Sequence, residues 1–314
     1  MLFIDNDFRM TIAQCSKKCY NLVKSLNLKA DMIEVSVEES YVIHVNSGSF
    51  ETVVILQNIA LDTMLVGSVL ACDVNQDDLD VTWEKPNNRV IDWIRFVLDL
   101  INEKVPYTFE IGDGEYEPEW IHGSLNGFKL RQLLFSDDCD DERARSIIEC
   151  FTTVPMIYIK RNPYLNGQPI EVEQTSKFLM RNYEFIALGY EFPMDIDLLL
   201  ITNGIYIEIL NHNFSLKNLR VILKSWMNGA LPNLQYLCFE MNQRVNQDEL
   251  MHGIHHQVIS QEIVREKIFN YQTDSFTVRA RGGFNIRKFN QQQFATVDLN
   301  NKRASCYFQL FVWD

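Results

Sequence analysis

The stretch NFSLKNLRVILKSWMNGALPNLQYLCF, residues 213–239, reads as a helix, a stop and a strand. Ser215 brings a side-chain oxygen that can accept a free N–H at a helix start. Leu219, Ile222, Leu223 and Trp226 recur at three- and four-residue spacing, the apolar stripe of a helix laid on a core. Asn228-Gly229 end it, because glycine takes the left-handed conformation that closes a helix without steric cost, and Pro232 stands just beyond. A strand is expected to begin at Leu231 and to run through Leu234, Leu237 and Phe239. No grouping of side chains in this stretch suits catalysis, so it is read as scaffolding.

The same rhythm extends N-terminally. RVIDWIRFVLDLI (89–101) reads as a mostly buried helix and VPYTFEIG (105–112) as a strand. FKLRQLLFS (128–136) is a strand. DDERARSIIECF (140–151) is a helix whose acidic first turn suits the positive end of the helix dipole. VPMIYIK, YEFIALG and IYIEIL are strands, alternating with helical VEQTSKFLM and DIDLLLIT. Strand centres fall near residues 109, 133, 157, 186, 207 and 236, about 21 to 29 residues apart, the period of leucine-rich repeats. Stacked units of this kind share a core and present a curved surface, and the strand face is the expected partner-binding side.

Both ends depart from this period. TIAQCSKKCYNLVKSLNLK (11–29) is amphipathic, as one helix or two short ones. MIEVSVEESYVIHV and FETVVILQ alternate with period two around Asn46-Ser47-Gly48, which predicts a hairpin. At the C-terminus, DSFTVRA and FNIRKF flank Gly282-Gly283, and QFATVDL and ASCYFQLFVWD flank Asn300-Asn301. Both are read as hairpins of an antiparallel sheet that covers the last strand edge of the array.

The fold class is therefore α/β: a degenerate leucine-rich-repeat-like helix–strand array with a small helical N-terminus and a C-terminal antiparallel β cap. The expected divisions are 1–30 (helices), 31–88 (hairpin and connecting segment), 89–245 (repeat-like) and 246–314 (helix and hairpins).

Composition narrows the function. Of 314 residues, 46% are apolar and 23% charged, an ordinary globular balance. The 42 acidic against 29 basic residues give a formal charge of −13, which disfavours a phosphate backbone as partner. The seven cysteines are scattered and odd in number, which suits reduced thiols in the cytoplasm or nucleus. No signal layout and no membrane span is read.

Three stretches carry residue types that could do chemistry. His252, His255 and His256 would share a metal face on a helix, but nothing completes a ligand set, so they are read as surface histidines. DDCDDE (137–142) lacks a calcium-loop layout and reads as a solvated helix entry. IGDGEYEPEW (111–120) has Gly112 and Gly114 without a phosphate-loop lysine. No catalytic residue, cofactor or metal is expected.

Residues 195–239 resemble the type 2 F-box-associated domain of the large nematode F-box families. The match rests on Asp197, Leu198, Leu199, Ile207, Leu219, Leu223, Lys224, Trp226, Gly229, Pro232, Leu234, Tyr236 and Leu237, and the domain is placed at about 170–240. Arg220-Val221-Ile222 departs from the family's Asn-x-Phe, and Asn290–Gln293 replaces its Asp-Gly turn. Residues 11–28 resemble the second half of an F-box, and the ten residues before them do not match the first half. The resemblance implies a substrate-recognition subunit of a Skp-cullin-F-box ubiquitin ligase. Ile12, Cys15, Ser16, Cys19 and Leu22 would face a Skp-type adaptor, and the array would hold an unknown target protein. With a partial F-box, the alternative is a protein-binding module that works without the adaptor.

Overall fold

The computed structural model describes residue 13 and residues 16–46, 51–57, 59–60, 63–73, 81–83, 88–103, 108–125, 128, 130–164, 169–210, 214–242, 244–271, 274–289, 292–301 and 306–313. The chain is mixed α/β and divides into two compact units, Met1–Val154 and Pro155–Asp314.

In the first unit a meander of β1 (Met32–Val37), β2 (Tyr41–Asn46), β3 (Glu51–Gln57), β4 (Ser68–Asp73) and β5 (Val81–Trp83) pairs antiparallel throughout. The expected first hairpin is thus β2–β3, and its turn lies outside the described residues. On the far side of β1, β6 (Thr108–Ile111) and β7 (Gln132–Phe135) add in parallel. The helices are α1 (Lys17–Lys24), α2 (Val90–Leu100), α3 (Pro118–Leu125) and α4 (Asp141–Cys150). In α2, Trp93, Ile94 and Val97 are buried, and Asp92 accepts a hydrogen bond from the Arg89 backbone to close its first turn. The chain is helical at Ala13, extended at Ser16 and helical again from Lys17, so of the one-helix and two-helix alternatives the pattern is interrupted, with Ser16 as the cap of the second helix.

In the second unit β8 (Met156–Arg161), β9 (Tyr183–Glu191), β10 (Gly204–Ile209) and β11 (Tyr236–Met241) are neighbours. The β8–β9, β9–β10 and β10–β11 pairings are all parallel. Between them run α5 (Pro169–Leu179), α6 (Ile196–Ile201) and α7 (Leu216–Met227). Asp195 caps α6 by accepting from Leu198 N at 2.8 Å. At α7 Ser215 Oγ accepts from Asn218 N, and Asn218 Oδ1 accepts from Ser215 N in return. Gly229, at φ +98°, lets Ala230 N donate back to Ser225 O and Gly229 N to Trp226 O, closing the helix end.

The strand after α7 starts later than the sequence suggested. Leu231 sits at φ +53°, left-handed, and pairing begins only at Tyr236. Leu231 and Leu234 are buried, so their apolar spacing reflects a packed turn instead of a strand.

The C-terminal cap forms as antiparallel strands. After α8 (Gln247–Met251) come β12 (Gln257–Tyr271), β13 (Asp274–Arg287), β14 (Phe294–Asn301) and β15 (Cys306–Trp313). β15 pairs with the outer edge of β11, and β14, β13 and β12 follow in order. One expected turn is corrected: Gly282-Gly283 lie inside the continuous strand β13 as a bulge, where the register against β12 shifts between Ile259 and Val264. Both glycines have positive φ, and a Cβ on Gly283 would sit 2.3 Å from Val297 O. Asn300 and Asn301 belong to β14, and the link to β15 lies outside the described residues. Asn301 instead bonds both backbone groups of Val245 and so fixes the approach to α8.

Candidate functional site

The parallel strands of the second unit have two unlike faces. On one, Leu199, Leu219, Ile222, Leu223 and Trp226 of α6 and α7 are fully buried, as are Ile186, Ile207, Leu237 and Phe239 of the strands. This face is closed packing. On the other, strand register sets Met156, Phe185, Tyr206, Tyr236 and Phe311 in one row across β8, β9, β10, β11 and β15. Ring centroids along the row are 4.7 Å (Phe185–Tyr206), 4.6 Å (Tyr206–Tyr236) and 5.0 Å (Tyr236–Phe311).

That row is covered. Phe269 of β12 and Phe276 of β13 stack on each other at 5.1 Å and stand edge-on to Tyr206 at 5.4 and 4.9 Å. Thus the strand face is not open along its whole length, and part of it is the seat of the C-terminal hairpin. The next row, Tyr158, Ala187, Glu208, Cys238 and Gln309, followed by Glu240 and Tyr307, extends the face away from the aromatic row. Burial raises the Glu208 carboxyl above the usual carboxylate range, and neighbouring Glu240 adds to the rise. The Tyr307 hydroxyl donates to Glu240 at 2.8 Å, and this bond pushes its pKa up to about 12. Burial, then Glu208, push the Cys238 thiol up to about 12. A thiol so protonated is a poor nucleophile. The row offers tyrosine hydroxyls and carboxyls for recognition and holds no activated group.

Among the family-motif residues, Leu199, Leu219, Leu223, Trp226, Leu234, Tyr236 and Leu237 are buried. Leu198 is half-buried and lines a cavity of about 330 Å³ with Asn162, Val172, Thr175, Pro193 and Met194. Gly229 and Pro232 shape the turn after α7.

The five residues expected to face an adaptor are placed unevenly. Ile12 and Cys15 lie outside the described residues. Ser16 caps α1, accepting from Cys19 N at 3.1 Å, and Cys19 is half-buried. Leu22 is 64% exposed, and Leu26, one turn on, is 54% exposed. The opposite side of α1 is engaged by α2: Tyr20 meets Phe96 at 5.7 Å and Lys24 pairs with Asp99.

His252, His255 and His256 fall after α8 ends at Met251, so they do not form one helical face. His252 O accepts from Arg220, and His256 Nδ1 lies 2.7 Å from Ile254 O with its ring against Phe284. Among the described residues no helix is long and apolar enough to cross a membrane.

Sequence reading did not single out the covering hairpin or the Glu208–Glu240 row. β12 hides because Arg265 and Lys267 point to its inner side. Arg265 lies over Trp313 and Phe294, and Lys267 over Phe269, so charge occupies positions where alternation calls for apolar residues.

The second unit is a mixed α/β scaffold with one sheet face packed against helices and the other divided between the seat of the C-terminal hairpin and a half-buried polar row. Residues 174–239 match the family model of F-box associated domains. The matched span covers the second half of α5, then β9, α6, β10, α7 and the first part of β11. No curated protein and no solved structure matches the chain.

Proposed function

We propose that this chain is a non-catalytic recognition subunit of a Skp-cullin-F-box ubiquitin ligase, acting in the cytoplasm or nucleus. The observation that carries the reading is the F-box-associated match at 174–239, laid on a segment whose apolar residues are committed to packing. The helix–strand units form a leucine-rich-repeat-like array, and the polar row of Tyr158, Glu208, Glu240 and Tyr307 takes a target protein. The N-terminal helix is the second half of a nematode-type F-box and presents Leu22 with Leu26 to a Skp-type adaptor. Nucleic acid and membrane have no part in this reading.

The target-binding half is tested by immunoprecipitating the tagged chain from cells and comparing it with a Tyr158→Asp, Glu240→Arg variant. The variant is expected to lose its strongest stoichiometric partner while its circular dichroism is unchanged. Retention of that partner, or its loss only when the C-terminal hairpin is altered, would remove the sheet face from the account.

An adaptor-independent binder is the second reading. It is favoured by the way α2 occupies the Tyr20 and Lys24 side of α1, which leaves a narrow apolar strip for an adaptor.

A further inference from the structure

In the second unit β12 is the last strand of its sheet. β13 pairs with one side of it, and among the described residues no strand pairs with the other. A free strand edge is a row of unmet N–H and C=O groups, ready to pair with another extended chain. The register fixes which groups these are. Arg281 N of β13 donates away from β12, to Asp298 of β14 at 3.2 Å. Its pairing with Val264 therefore exchanges no backbone hydrogen bonds, and by alternation neither do Glu266–Arg279 and Ile268–Thr277. The N–H and C=O groups of Val264, Glu266 and Ile268 thus point to the open edge, and among the described residues none of them meets a partner.

The same three residues carry exposed side chains. Val264 is 44% and Ile268 58% exposed, and Glu266 between them is exposed as well. Arg265, Lys267 and Phe269 alternate with them and turn to the inner face, where Arg265 and Lys267 lie over the Trp313 ring and Phe269 is buried. The bulge between Ile259 and Val264 ends the regular edge on one side, and no proline interrupts it.

An apolar edge without charges would pair with any strand, its own copy included. The charges of this edge narrow the choice. A second copy paired antiparallel about Arg265, Glu266 or Lys267 would set that residue against itself, and like charges directly opposite are destabilising. We propose that the edge of β12 from Val264 to Ile268 takes an extended, antiparallel strand of a partner protein. That strand has apolar residues opposite Val264 and Ile268, a basic residue opposite Glu266 and acidic residues opposite Arg265 and Lys267. Main-chain bonds to Val264, Glu266 and Ile268 hold it, and the side chains select it. The edge lies outside the matched family segment, and its use does not depend on the polar row taking a target.

The test is calorimetric titration of the full chain with acetyl-Thr-Val-Glu-Lys-Glu-Val-Thr-amide. Saturable one-to-one binding is expected, with a Kd below about 1 mM. N-methylation of the central lysine removes one main-chain bond and should weaken binding about tenfold, as should Glu266→Lys in the chain, a change at an exposed side chain. A peptide with the charges exchanged, Val-Lys-Glu-Lys-Val at its centre, should not bind, although a chain of formal charge −13 attracts it more strongly at long range. No saturable heat, equal binding of the N-methylated or charge-exchanged peptide, or equal binding by the Glu266→Lys variant would overturn the proposal. So would a dimer of the chain in sedimentation that Ile268→Asp dissociates, because it would give the edge to a second copy.

Discussion

Trp226 shows how a single side chain is used here. It is fully buried on α7, and the Lys288 ammonium lies 5.2 Å from its ring centroid, tying β13 to the helix. Trp226→Ala is expected to cost about 3–5 kcal/mol, read from urea denaturation, because a large cavity would remain. A loss under about 1 kcal/mol would mean the site collapses or that this region is already loose. Glu110 on β6 is the counterpart among charged groups. Burial first, then a hydrogen bond with Glu34, raise its carboxyl from an ordinary 4.5 to about 7. The folded state therefore holds a proton that the unfolded chain releases. Stability should fall as pH rises from about 4.5 to about 7 and then level off. Glu110→Gln is expected to flatten that slope, and an unchanged slope across the same range would assign it to other groups.

At the scale of elements, legibility followed how local the physics is. α7 was readable to within a residue because its cap, stripe and glycine stop are all consecutive in sequence. Ser215→Ala should cost about 1 kcal/mol by removing the capping bond, measured by thermal melting against wild type. Other elements depend on distant neighbours. Gly282-Gly283 carries the same residues as a tight turn, and only pairing with β12 makes it a bulge. Gly283→Ala would force a Cβ against Val297 O, so it should destabilise the sheet by more than a surface change does. β12 itself was missed because its inward lysine and arginine make sense only beside the aromatic rings of β14 and β15. The place of Arg143, which is buried and donates to Gly114 O and Tyr116 O, was equally hidden. In sequence that arginine sits in an acidic, amphipathic helix, and its donors point to a loop nearly thirty residues earlier.

For the whole molecule, charge and the division of faces govern behaviour. A formal charge of −13 makes association with basic partners salt-sensitive, so any target captured through Glu208 and Glu240 should be released more readily as ionic strength rises. The helix face and the aromatic row under the C-terminal hairpin are consumed by packing, while Tyr158, Glu208, Glu240 and Tyr307 are half-buried and Leu22 and Leu26 are exposed. The most direct measurement of the recognition-subunit account is co-purification of this 314-residue chain with a Skp-type adaptor, beside a Leu22→Asp, Leu26→Asp variant. The account predicts one-to-one recovery of the adaptor with the native chain and its loss with the folded variant. A folded native chain that recovers no adaptor, or a variant that still does, would contradict it.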